Sequence, residues 1–420
     1  METKYQPIKL KCHEQLRRIT AEYWEKANQV RETGKRVVWC SGMVPAEFLT
    51  AMDFFTIYCM NHSATCGVRG VSLELCQRAE AQGYSPDICS YARTDLGSAL
   101  AGEESKSPVK QPKPDLLLVG NGQCHTITKW FESLGWLFNV PVILIDVPFL
   151  HDDMDKETYS RACTYVKEQL QELISFLEEF TGRSFDYDRL REDIANSSRM
   201  FQLWQEALEM RQNIPSPLSV FDIFTHLFPI LGLRGTAEGA DYYQEFKEEV
   251  AERVANKVSA IAGERFRLHL DGVPVWFNLK GLASKFASHG AAPLSHVYTM
   301  SFGKFSGLDP SKPLESTAEC LLTPHANRGT RQRIDILVEH VEKYHLNGLA
   351  MQISRTCKGL GVGIYDLMEG VARRTGIPGV VYETDMCDPR LYSEAQVDAT
   401  LEDFFEMLAA RYPNHPKSTR

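Results

Sequence analysis

Asp115-Leu-Leu-Leu-Val119 and Val140-Pro-Val-Ile-Leu-Ile145, separated by the stretch from Thr126 to Phe138, decide the fold class. Both runs are short and apolar, the signature of a strand buried inside a sheet. The stretch between them reads as a helix. Strands alternating with helices point to a parallel sheet with helices on its faces.

Working outward, Arg36-Val-Val-Trp-Cys-Ser41 reads as a further buried strand that runs into the turn Gly42-Met-Val-Pro45. Before it, Leu16, Ile19, Tyr23, Ala27 and Val30 recur at nearly helical spacing until Gly34. Residues 1–34 are therefore expected to be an N-terminal helical segment and 35–150 a first α/β domain. From 151 to 262 the pattern becomes helical, with Tyr159, Ala162, Val166, Leu170, Leu173 and Leu177, then Phe246, Val250, Val254 and Val258. Ile214-Pro-Ser-Pro217 and the glycines at 232, 235 and 239 interrupt it. Strand patterns return from 263 to 420 in Arg265-Phe-Arg-Leu-His-Leu270, Gly348-Leu-Ala-Met-Gln-Ile353 and Pro378-Gly-Val-Val-Tyr-Glu383, before a closing helix around Val397 to Tyr412. This is a second α/β domain.

The two α/β units resemble each other. Asp115–Val119 leads to Cys124, a helix, Val140-Pro141 and a strand ending in Asp146; Gly348–Ile353 leads to Cys357, a helix, Ile377-Pro378 and a strand followed by Asp385. Each unit also opens with a strand that turns at Gly and Pro, in Ser41-Gly-Met-Val-Pro45 and Asp271-Gly-Val-Pro274. Three parallels in one order suggest a duplicated βαβ module, with the helical segment as an insertion between the copies.

The 420 residues carry 46 Lys and Arg against 55 Asp and Glu, a formal charge of −9, which disfavours a nucleic-acid partner. No apolar run approaches the roughly 20 residues of a membrane span, and the first residues lack a signal-peptide core. A cytoplasmic chain is expected, where its 11 cysteines would not form structural disulfides.

Three cysteines occupy equivalent places. Cys124 and Cys357 follow strands in the loops where open parallel sheets bind ligands, and Cys89, in Ser85-Pro-Asp-Ile-Cys-Ser-Tyr-Ala-Arg93, begins a helix. A helix N-terminus lowers a thiol pKa, so these residues are expected to serve as thiolates. For any one of them local packing is the commoner role; the trio together reads as a metal site. Three thiolates leave open one iron of a cubane or one corner of a zinc tetrahedron, and the spacing does not name the metal. Cys59, His62, Cys66 and Cys76 form a rival, closely spaced set that could bind zinc. Cys12, Cys163, Cys320 and Cys387 read as packing residues. Gly359-Leu-Gly-Val-Gly363 permits close approach of backbone to a bulky ligand, or is an ordinary tight turn. It lacks the lysine and hydroxyl of a phosphate loop, so this chain is not expected to bind ATP.

Ser85–Arg93, Asn121-Gly-Gln-Cys-His125 with Trp130-Phe-Glu132, Ser354-Arg-Thr-Cys-Lys358, and Glu383-Thr-Asp-Met-Cys-Asp-Pro-Arg390 resemble motifs of the 2-hydroxyacyl-CoA dehydratase and benzoyl-CoA reductase family. The resemblance covers nearly the whole chain. It implies two related Rossmann-like domains with a 4Fe-4S cluster between them, held by Cys89, Cys124 and Cys357 with the fourth iron open or bridged. It also implies partners: a homologous second cluster-bearing subunit, an ATP-hydrolysing 4Fe-4S activator and an acyl-CoA thioester substrate. In such enzymes the thioester carbonyl takes one low-potential electron to form a ketyl radical. Dehydratases then expel a hydroxyl and recycle the electron, whereas reductases add electrons and protons to an aromatic ring.

Gly42-Met-Val-Pro-Ala-Glu47, Gly67-Val-Arg69, Gln111-Pro-Lys-Pro-Asp115 and Trp276-Phe277 are most similar to the larger, B- or O-type subunit of class I benzoyl-CoA reductases. The leading expectation is thus a subunit of a benzoyl-CoA-type reductase. A 2-hydroxyacyl-CoA dehydratase subunit is the alternative, and a non-catalytic electron-relay or double-cubane subunit a third. By the switch-point rule, the turns after Ser41 and Asp271 should face the cysteines. Ser41 or Glu47 would then bind or protonate substrate and Trp276 would cover a flat acyl group; a capping serine, a surface glutamate and a core tryptophan are the plain alternatives.

Overall fold

The computed structural model describes residues 10–413. β1 (Val37–Cys40), β2 (Phe55–Tyr58), β3 (Leu116–Gly120) and β4 (Val142–Ile145) form one parallel sheet in the order β2-β1-β3-β4. β5 (Phe266–Asp271), β6 (Ala291–Ser295), β7 (Gly348–Ser354) and β8 (Gly379–Thr384) form a second, in the order β6-β5-β7-β8. Every pairing is parallel, and the two orders are the same, first strand inside and second strand at the edge. The chain is therefore α/β with two like-wound sheets, as the repeated strand–cysteine–helix–strand pattern implies.

Successive strand residues face opposite sides, and the first sheet uses both. Val38, Cys40, Leu116 and Leu118 join one core with Val166, Leu170, Phe201 and Trp204 of the long helices that follow β4. Val37, Trp39, Leu117 and Val119 join another with Ile127, Phe131 and Leu134. These last three residues and Trp130 make up the buried stripe of the His125–Phe138 helix. Fully burying each such side chain contributes about 1.5–3 kcal/mol, which explains why continuous apolar runs become central strands here.

Among the described residues no strand lies between β4 and β5. That interval holds the helices Lys156–Thr181, Tyr187–Glu209 and Ala237–Ala255. The first is capped by Asp155, whose carboxylate accepts the Thr158 N–H at 2.7 Å, and ends at the left-handed Gly182. Because these helices share a core with the first sheet, they act as its covering layer. No helix is long and apolar enough to cross a membrane among the described residues.

The carboxyl ends of β1, β3, β5 and β7 carry loops that reach the cysteine cavity, and Cys89 comes from the loop between the helices Ser72–Ala81 and Ser90–Ala101. At the β5 end the chain reverses through Gly272 at φ 108°, where a Cβ would lie 2.5 Å from the Gln352 carbonyl oxygen. Only glycine fits that turn.

Candidate functional site

Cys89, Cys124 and Cys357 are the N-cap residues of the helices Ser90–Ala101, His125–Phe138 and Lys358–Gly361. All three line one cavity of about 100 Å³ that receives Met43 and Met60 from the first α/β unit and Val273, Tyr298 and Met386 from the second. Along with Cys163 they are the half-buried cysteines of the described chain; the other seven are buried. A Cβ on Gly359 would sit 3.1 Å from the Cys124 Cβ, so the glycine lets the Cys357 loop close against the Cys124 loop.

Two carboxylates place these loops. Asp146, after β4, accepts from the Asn121 amide, whose Oδ1 in turn accepts the Val147 N–H at 2.6 Å. In the second unit Asp385, after β8, accepts Thr356 Oγ1–H at 2.6 Å and the Thr356, Cys387 and Asp388 N–H groups at 3.2, 3.2 and 3.0 Å. Thr356 Oγ1 also accepts the Ser90 N–H at 3.0 Å. One hydroxyl thus ties the residue after Cys89 to the residue before Cys357. Behind it, fully buried Arg93 donates to Asp388 at 2.8 Å and to Glu80 at 2.5 Å, and Arg390 closes the network on the same two acids. The motif from Asp385 to Arg390 is therefore a clasp between the two sheet units.

The thiols depart from the expected pKa shift. Burial pushes Cys89 well up, Cys124 up, and Cys357 up to about 12. Backbone N–H groups of residues 126 and 127 lower Cys124, and that of Leu360 lowers Cys357, but desolvation is the larger effect. Repulsion between the sulfurs adds to it, from Cys357 and Cys124 on Cys89 and from Cys124 on Cys357. Thiolates in this place need a positive partner.

The chemistry of the donor set fits an iron-sulfur cluster. Three sulfurs from three separate loops face a shared space with apolar walls, while no group of three or more His, Cys, Asp or Glu side chains among the described residues closes on a single ion. Cys89, Cys124 and Cys357 would hold such a cluster, each through one iron. The rival set is otherwise engaged. His62 lies between Asp95 and Ser107 Oγ, the latter at 2.8 Å, and Cys66 Sγ is 3.6 Å from both His62 Nε2 and Ser107 Oγ. Cys76 contacts Thr94 Oγ1 at 3.5 Å. These residues form a buried hydrogen-bond network.

Ser41 and Glu47 are fully buried and outside the cavity lining. Ser41 Oγ accepts the Gly120 N–H at 3.0 Å and so ties the β1 end to the β3 end. Glu47 pairs with Arg234 through two bonds of 3.0 and 2.8 Å. Trp276 stands one layer behind the wall, where its Nε1–H donates to the Tyr91 hydroxyl. Tyr91 itself lines the cavity, as does Tyr298. Tyr91, Trp130, Tyr298 and His325 are wall residues that sequence reasoning did not assign. Tyr91 and Trp130 lie in the motifs around Cys89 and Cys124, a usable signal; Tyr298 and His325 fall in a stretch without strand or motif character.

Comparisons with known proteins identify the family. Residues 40–408 match the family model "2-hydroxyglutaryl-CoA dehydratase, D-component". The chain belongs to this family. Within it, the chain is 30% identical over 403 residues to the (R)-phenyllactyl-CoA dehydratase alpha subunit of Clostridium sporogenes, covering 96% of each. It is 29% identical to the (R)-2-hydroxyisocaproyl-CoA dehydratase alpha subunit of Clostridioides difficile, over 94% of this chain and 95% of that one. The benzoyl-CoA reductase B subunit of Thauera aromatica is also 29% identical, over 93% of each. Family members of this kind are subunits of enzymes, and this chain is an enzyme-related subunit of the same family.

Proposed function

We propose that the protein is the cluster-bearing alpha-type subunit of an enzyme that activates an acyl-CoA thioester by single-electron reduction. The observation that carries the reading is the convergence of Cys89, Cys124 and Cys357, from both sheet units, on one apolar cavity. A 4Fe-4S cluster bound there would supply one-electron transfer to the thioester. The chain's own residues would exclude water, through Met43, Met60, Trp130 and Leu360, and present the Tyr91 and Tyr298 hydroxyls. Burial keeps both phenols protonated. A second cavity, of about 410 Å³, shares Val297, Ser301 and His325 with the first and carries Lys304, Arg328 and Lys343. Lys304 and Arg328 of this lining suit the phosphate-bearing tail of coenzyme A, whereas Lys343 is held by Glu209 at 3.0 Å.

Dehydration of a 2-hydroxyacyl-CoA is the favoured reaction, because relatives acting on phenyllactyl, hydroxyisocaproyl and lactoyl thioesters match along nearly the full chain. Reduction of an aromatic acyl-CoA is the second reading, favoured by the equally long match to the reductase chain. Either enzyme would need a homologous second subunit and a separate ATP-hydrolysing activator. The test is turnover by the anaerobic complex of phenyllactyl-CoA, 2-hydroxyisocaproyl-CoA and benzoyl-CoA with ATP and a reductant. Enoyl-CoA formation selects the first reading and a reduced ring the second. Turnover by this polypeptide alone without ATP would contradict both.

A further inference from the structure

His325 stands in the wall between the two cavities, in the short turn His325–Asn327, and is 6% exposed. Its backbone N–H donates to Ser301 Oγ at 3.3 Å, and Ser301 Oγ–H donates to the Val297 carbonyl at 2.8 Å, so the turn is pinned to the cavity wall. Arg333 Nε–H donates to His325 Nε2 at 3.0 Å. A guanidinium has no acceptor, so Nε2 must contribute its lone pair. The single proton of a neutral imidazole then resides on Nδ1. Burial, together with the nearby charge of Arg333 and the rings of His269 and His340, holds the group well below the usual histidine range and hence neutral. Nδ1 has no hydrogen-bond partner among the described residues.

A buried donor whose tautomer is fixed from behind and whose proton is left unmatched is arranged for a ligand acceptor. The lining also offers the Tyr91 and Tyr298 phenols, the Gln123 amide and the Thr126 hydroxyl, while the Tyr91 oxygen already accepts from Trp276 and the Ser301 hydroxyl donates to Val297. We infer that His325 donates a hydrogen bond from Nδ1–H to the carbonyl oxygen of a thioester held beside the three cysteines, with Arg333 as the positioning residue. The inference rests on the acyl-CoA reading above. No proton is transferred in this role. A neutral donor stabilises negative charge as it builds on the oxygen and stays bound to its own nitrogen.

Two readouts test it on the full chain with its cluster loaded anaerobically. The first is the infrared carbonyl band of bound [1-13C]benzoyl-CoA and [1-13C]4-methylpentanoyl-CoA. Wild type should show a lower frequency than His325→Leu, and His325→Asn should recover part of the shift, because its amide N–H falls near the place of Nδ1. In the assembled complex His325→Leu should lower kcat by about 10²- to 10³-fold, with a smaller change in KM and unchanged cluster absorption. Equal carbonyl frequencies in wild type and the leucine variant, both binding, would overturn the inference. If wild type binds neither thioester, the acyl-CoA reading itself fails, and this one with it. The second readout needs no variant that loads a cluster: 15N-histidine spectra, assigned by loss of one ring in His325→Asn, should place that ring's proton on Nδ1. A proton on Nε2 would overturn the inference equally.

Discussion

Replacing Thr356 by valine removes one hydroxyl and almost nothing else, and that hydroxyl joins two of the three cysteine loops. It accepts from Ser90 N–H at 3.0 Å and donates to Asp385 at 2.6 Å, with Ser90, Thr356 and Asp385 all buried. Valine keeps the shape, so the loss is polar. A buried N–H left without its acceptor costs about 1–3 kcal/mol, and a bond to a charged carboxylate contributes about 1.5–3 kcal/mol. Together the expected destabilisation is about 2.5–6 kcal/mol, a large share of the roughly 5–15 kcal/mol by which domains are stable. Urea unfolding of the metal-free chain measures this directly. Iron content after anaerobic loading measures the second consequence, because Cys89 and Cys357 would no longer be held in register. Thr356→Ser should restore most of both. A valine variant with the wild-type urea midpoint and full iron content would refute the idea that this hydroxyl staples the site.

The clasp behind the site should also be sensitive: Arg93→Met removes the buried partner of Asp388 and Glu80 but leaves Arg390 on both acids, so the stability read from the urea midpoint should fall by less than the roughly 3–5 kcal/mol that leaving a buried charge wholly uncompensated costs. His62 gives a pH signature. Burial alone would lower its pKa, but Asp95 and Cys66 outweigh burial and push it up to about 10. Its contribution is complete below the unfolded value near 6.5 and fades as pH rises toward 10. Between pH 7.5 and 8.5, wild type should therefore lose more stability than His62→Asn, by on the order of 1 kcal/mol. Parallel stability curves for the two proteins would show that the His62–Asp95 pair is not charged.

The central strands were legible because burial on both faces leaves a continuous apolar run, as in Leu116–Val119 and Leu349–Met351. The edge strand β6 was not legible. Ala-Ala-Pro-Leu-Ser offers little β-branched surface, and its proline cannot donate to a ladder; the strand survives at an edge, with a register shift opposite Leu268 and His269. Cys124 and Cys357 could be read from their places at strand–helix junctions, and Cys89 from its place at the start of a helix. Their raised pKa could not, since desolvation depends on walls such as Tyr298 and Val273 that come from the other unit. Glu47 shows the same limit. Its partner Arg234 lies 187 residues away, in the helical segment, and only packing turns an acid in a loop motif into half of a buried ion pair.

The most direct measurement is iron, sulfide and visible absorption on the anaerobically purified full chain, beside Cys89→Ala, Cys124→Ala, Cys357→Ala and the control Cys163→Ala. With three cysteines each fixing one iron, the broad iron-sulfur absorption should be present in wild type and in the Cys163 variant and lost in each of the other three. Stoichiometric zinc without iron in wild type, or an unchanged spectrum in any of the three variants, would contradict the assignment of the cluster to Cys89, Cys124 and Cys357.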